Sequence, residues 1–121
     1  MATTAVLTNL GEAWIINSIN QDAPAQMHHI GWGTGAGTAA KADTGLFTAS
    51  AEARVVATLT KPTADTWKAA ATIVSASQQV ITNVGAFDDA TAGNLGIHIC
   101  FTGVGLEIND SITFEITLES T

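Results

Sequence analysis

Apolar and polar residues alternate with period two through most of the chain beyond Ala51, the pattern of strands with one covered face. Ala53, Val55, Ala57 and Leu59 fall on one side of a first strand, with Arg54, Val56, Thr58 and Thr60 on the other. Lys61-Pro62-Thr63-Ala64-Asp65 has the composition of a turn. Trp67, Ala69, Ala71 and Ile73 then alternate with Lys68, Ala70, Thr72 and Val74. In Gln79 to Phe87, strict alternation sets Val80, Val84 and Ala86 opposite Ile81 and Phe87. After a turn at Asp88 to Asn94, Leu95, Ile97, Ile99 and Phe101 form an apolar face opposite Gly96, His98, Cys100 and Thr102. Gly103-Val104-Gly105 bends the chain, and Asn109-Asp110 marks a further turn. Ile112, Phe114, Ile116 and Leu118 alternate with Thr113, Glu115, Thr117 and Glu119 in a last half-buried strand.

The N-terminal third reads differently. Leu7, Leu10 and Trp14 recur at helical spacing, Thr8 or Asn9 is placed to cap the first turn, and Glu12 lies near the positive end of the helix dipole. Gly11 and the β-branched pair Ile15-Ile16 suit a strand instead, but the spacing favours a helix. Asn20 to Gln26 reads as a loop and Met27 to Trp32 as a short strand. Gly33 to Gly45 holds four glycines in thirteen residues, which predicts a long exposed loop, either mobile or draped on a partner. Short strands between turns, without a strand–helix–strand rhythm or a repeat of fixed period, predict a mainly β fold. The expected architecture is an antiparallel, jelly-roll-like β-sandwich over residues 1–121 with a short N-terminal helix. Its core should contain Trp67, Ile73, Leu95, Ile97, Ile99, Phe101, Ile112, Phe114 and Ile116, and Phe114→Ala should cost about 3–5 kcal/mol.

Composition narrows the function. Apolar residues make up 46% of the chain and charged ones only 12%, which argues against disorder. Eleven acids face four bases, Lys41, Arg54, Lys61 and Lys68, for a net charge of −7. Such a surface repels phosphate backbones, so direct nucleic-acid binding is not expected. Cys100 is the single cysteine, which leaves no intrachain disulfide or thiolate zinc cluster to form. The first residues lack a cationic start followed by an apolar run, and no apolar stretch nears the ~20 residues of a membrane span. Neither a signal peptide nor a membrane partner is expected.

Candidate chemistry is thin. Gly31-Trp32-Gly33-Thr34-Gly35 looks like a phosphate loop but is followed by Ala36-Gly37-Thr38 and no evident helix, and it lacks Gly-Lys-Ser/Thr. His28 and His29 point to opposite faces of a strand and do not readily share one ion; a metal on an oligomer axis, with one histidine from each subunit, stays open beside ordinary half-buried histidines. Asp43, Asp88 and Asp89 match no calcium loop, and turn formation accounts for the aspartate pair. No serine lies in Gly-x-Ser-x-Gly, and Cys100 sits mid-strand where an inert thiol is expected. No catalytic, cofactor-binding or metal-binding residue emerges, and an enzyme is not expected.

Several short runs carry a resemblance. They are Ile30-Gly31-Trp32-Gly33-Thr34-Gly35 with Asp43-Thr44-Gly45-Leu46, then Glu52-Ala53-Arg54-Val55, then Asn83-Val84-Gly85-Ala86-Phe87-Asp88 with Ala92-Gly93-Asn94-Leu95, and finally Asn109-Asp110-Ser111-Ile112-Thr113-Phe114. In these, Ile30 to Leu118 resembles small bacteriophage virion structural proteins of the head decoration or cement type, sometimes labelled tail-fibre proteins. Members of that group tend to carry glutamate where this chain has Asn83 and leucine where it has Ala86, so a role tied to that acid has no residue to fall on here. The resemblance implies a homotrimeric β-sandwich, made in the host cytoplasm and docked on the virion's outer capsid surface. Its partners would be the major capsid protein and further copies of itself, without cofactor or catalytic residues; a tail or tail-fibre adaptor is the alternative. Docking is expected through the uncharged segment Met1 to Val6 and the glycine-rich loop, with Trp32, Gly33, Thr34, Gly35, Gly37, Asp43, Leu46 and Phe47 as contact residues. A carbohydrate-binding or small-ligand sandwich would instead need polar groups converging on one of the tryptophans.

Overall fold

The structure, a computed structural model, describes residues 3–20 and 26–119. In chain order the elements are β1 (Thr3–Leu7), α1 (Asn9–Ile19), β2 (His29–Gly33), β3 (Val55–Val56), β4 (Thr58–Thr63), β5 (Thr66–Val74), β6 (Gln79–Phe87), β7 (Leu95–Leu106) and β8 (Ser111–Glu119). They form two antiparallel sheets, one ordered β1-β7-β6-β2-β3 and the other β4-β5-β8. The fold is mainly β, a two-sheet sandwich with one short helix, as the alternation predicts.

The helix forms where the spacing places it. Thr8 is its N-cap, accepting from the Gly11 N–H at 3.1 Å while its own hydroxyl donates to the Leu95 carbonyl at 2.5 Å. Gly11, which weakens the helix on propensity alone, is buried against β7: a Cβ there would strike the Gly96 carbonyl oxygen. The residue that counts against the helix locally is what lets it dock.

Strand β5 follows its pattern, with Ala69, Ala71 and Ile73 buried and Thr72 and Val74 exposed. Elsewhere the alternation misplaces residues. The strand expected over Ala53 to Thr60 is split: Val55 and Val56 join the larger sheet, and from Thr58 the chain belongs to the smaller one. The crossing is at Ala57, whose N–H donates to the His28 carbonyl at 2.6 Å. Lys61, Pro62 and Thr63 lie in β4 rather than in a turn, which shrinks to Ala64 and Asp65. An edge strand tolerates the proline because the missing N–H faces away from the ladder.

In β6 the pairing with β7 is irregular between Ile81 and Asn83, and the core-facing side chains change parity across that point. Ile81 joins Val84 and Ala86 in the core, while Val80 is left exposed. A second slip between Ala86 and Phe87 sends Leu95 to the face opposite the inter-sheet core. There its Cδ1 and the Cδ2 of Leu46 close over Gly85.

The core holds Ile30, Trp32, Ala69, Ile73, Ile81, Ile97 and Ile116. Trp67, Ile99, Phe101, Ile112 and Phe114, expected inside, are only half-buried against it. The reason is the unequal width of the sheets: three strands do not cover five. Helix α1 covers part of the gap through Trp14, over Trp67 and Leu118. No helix among the described residues is long and apolar enough to cross a membrane.

Candidate functional site

The segment between β2 and β3 lies against the face of the larger sheet that points away from the core. It is not a free loop. Thr34 N–H donates to the Thr48 carbonyl and Gly35 N–H to the Phe47 carbonyl, both at 2.9 Å, so the segment doubles back on itself as a flap. The glycines serve that approach: a Cβ on Gly33 would sit 2.5 Å from the Phe47 carbonyl oxygen. The close neighbour expected to be a foreign backbone is the chain's own.

A polar network fastens the flap to the sheet. Asn83, on β6, accepts from the Phe47 N–H at 3.0 Å and donates to the Phe47 carbonyl at 3.1 Å. That bidentate pairing fixes which way the amide points. Its oxygen also faces His98 Nε2 at 3.0 Å, so the ring donates there. His98 Nδ1 lies 2.7 Å from Asp43 Oδ2, and Asp43 in turn accepts from the Ala40 N–H at 2.8 Å. Both ring nitrogens thus face oxygen atoms, one on the flap and one on the sheet. His98 is 0% exposed and the Phe47 ring packs edge-on against it at 4.8 Å. Burial works to raise the Asp43 pKa, but the Ala40 N–H and His98 outweigh it and the carboxyl titrates below its ordinary range.

Glu52 anchors the other end. Its carboxylate receives Trp32 Nε1 at 3.1 Å, the Ala76 N–H at 2.8 Å, Gln79 Nε2 at 2.6 Å and the Ser50 hydroxyl. Partial burial would raise its pKa, yet these donors, led by Ala76, lower it to about 2. Arg54 stacks 3.5 Å over Phe87 and donates to the Asp89 and Ala92 carbonyls.

Among the eight expected contact residues, Trp32 and Gly33 are buried within β2 and cannot meet a partner. Thr34, Gly35, Asp43, Leu46 and Phe47 are half-buried and engaged in holding the flap, and only Gly37 is fully exposed. The outward surface is instead Ala36, Gly37, Thr38, Ala40, Ala42 and Gly45 around the buried Ala39. Residues Thr3 to Val6, expected to reach a neighbouring subunit, pair with β7 of their own chain, and Met1 and Ala2 lie outside the described residues. Lys41 ties the flap to α1 through an ion pair with Glu12 and through its carbonyl, which accepts from the Asn9 N–H at 2.8 Å.

The residues that sequence reasoning missed are Asn83, His98 and Glu52. For His98 the available signal was polarity between two apolar strand residues, Ile97 and Ile99; Asn83, beside polar Thr82, and Glu52, outside the strands, carried no such mark. His28 and His29 stack on each other at 4.4 Å, and among the described residues no three histidine, cysteine or acidic side chains are grouped to hold a metal. Burial raises the Cys100 thiol pKa, so it stays protonated at neutral pH. Chemically the site is a stiff, almost uncharged surface of small side chains. Comparison of the chain with models of known families, with curated proteins and with solved structures finds no match.

Proposed function

We propose that this chain is a bacteriophage virion protein that decorates or cements the capsid, docking as a homotrimer on the assembled shell through the outward surface of residues 36–45. The observation that carries the reading is the Asp43–His98–Asn83 network, centred on the buried His98 ring, beneath a surface of alanine, glycine and threonine with Lys41 as its one cation. Burying a histidine and an amide side chain in a polar network is a costly way to hold a plain loop. It makes sense where the shape of that loop matters, as it does when small side chains must pack closely on another protein. Pre-ordering lowers the entropy lost on docking, and several feet in one oligomer multiply weak contacts. Because separated capsid subunits lack the composite site, binding adds stability to the assembled lattice alone. The sequence likeness to virion structural proteins and the acidic, sparsely charged composition support the same reading.

Co-sedimentation with expanded empty capsids tests it. Substitution is the better instrument than deletion, because removing residues 36–42 would also remove Ala39 from its buried position and Lys41 from α1. The parent protein should pellet with capsids, and Ala36→Arg with Ala42→Arg should weaken that binding about tenfold or more without changing the melting temperature. Equal binding by the double variant removes the flap from the docking face. Binding to isolated tails and not to heads would replace the capsid with the tail as the site of action.

A further inference from the structure

The sandwich has a second surface that its own chain leaves incomplete. Of the four sheet edges, β3 has two residues, β1 has five, and β4 is interrupted by Pro62 and a register shift between Thr60 and Thr63. Short length, proline and irregularity are the usual protections of an edge against adding another strand. Strand β8 has none of them. It pairs with β5 in unbroken register from Ser111 to Glu119, and its other side is the open edge of the smaller sheet. Beside that edge, where the smaller sheet fails to cover the larger, runs a groove of about 360 Å³ lined mostly by apolar residues, among them Ile99, Phe101, Ile112 and Phe114, together with Glu115. The Phe101 and Phe114 rings lie 6.4 Å apart across it.

Charge selects what fits there. The opposite face of β8 carries Glu115 and Glu119, and the hairpin leading into it carries Glu107 and Asp110. Lys68 pairs with Glu115 at 3.3 Å and leaves that carboxylate 60% exposed. A second copy of the chain is poorly suited to supply the balancing cations. Lys41 is paired with Glu12, Lys68 with Glu115, and Arg54 with main-chain carbonyls, while Lys61 sits beside Pro62 on the protected edge. Two β8 strands placed side by side would also bring their glutamates together.

We propose that the β8 edge takes an extended segment of a different protein in which apolar residues alternate with lysine or arginine. Added beside β8, such a strand sends every second side chain onto the groove that Phe101 and Phe114 line and the intervening ones toward Glu115 and Glu119. Backbone pairing supplies the attachment, and the alternation supplies the selectivity. The inference does not depend on the capsid reading and uses a surface distinct from the flap.

The test uses the full chain and fluorescent peptides about as long as β8, with valine or isoleucine alternating with lysine. Controls are the same composition in scrambled order and a glutamate-for-lysine counterpart. The alternating cationic peptide should bind at least about tenfold tighter than either control, and hydrogen exchange should slow at β8 amides that face away from β5. In the double variant Glu115→Lys with Glu119→Lys, both exposed positions and so expected to fold, the preference should pass to the acidic peptide. Near-ultraviolet circular dichroism checks that the fold is retained. The proposal is overturned if scrambled and alternating peptides bind alike, if none binds, if protection falls on β1 instead, or if light scattering shows self-association that the double variant abolishes.

Discussion

His98 shows how one residue can tie a flap to the sheet beneath it. Its buried ring joins half-buried Asp43 on the flap to buried Asn83 on the sheet. Asp43→Ala leaves a nitrogen of the buried ring without its partner, and a buried polar group left unsatisfied is costly. Denaturant unfolding should register a loss of about 1–3 kcal/mol, and combination with Asn83→Ala should fall short of additive because both act on one network. Glu52 makes a pH prediction. Its folded pKa of about 2 lies below the ordinary 4.5, so the folded state holds the carboxylate in preference to the acid. The stability this contributes is complete above about pH 4.5 and is lost as the pH falls through that value toward 2. Asp43, shifted in the same direction, adds to the acid sensitivity. Glu52→Gln should flatten the stability profile across that window in unfolding titrations; an unchanged slope would show that the donors around Glu52 do not bind its charge.

Among the elements, α1 and β8 give the sharpest tests. By helix propensity Gly11→Ala should stabilise α1 by about 1 kcal/mol. The Gly96 carbonyl occupies the space of the new methyl, so thermal unfolding should instead show a lower melting temperature. On β8 the sequence ranks Phe114 among the costliest residues to truncate. The structure ranks Ile116 above it, since Ile116 is 3% exposed and Phe114 lines an open groove. Ile116→Ala should cost about 3 kcal/mol and Phe114→Ala about 1–2 kcal/mol in denaturant titrations. A strand bound along β8 would cover that ring and should raise the second figure toward the first.

For the whole molecule, the unequal sheets set the character of the surface. A five-stranded and a three-stranded layer leave one flank open, while the flap is fastened over the outer face of the larger layer. Light scattering should report a trimer if the capsid reading holds, and a monomer would remove the threefold docking mode. What the sequence determined by itself is what local periodicity and capping encode. The two faces of β5 and the alternation of β8, the Thr8 cap and the antiparallel two-layer class were all readable, because each depends on residues a few positions apart. What only the tertiary structure decided depends on partners far along the chain. The slip that moves Ile81 to the core face, the change of sheet at Ala57, the half-exposure of Phe114 and the pairing of Asp43 with His98 each require knowing which strand lies alongside which. No local pattern records that, since one extra residue in a ladder inverts every side chain beyond it while leaving hydrophobicity unchanged.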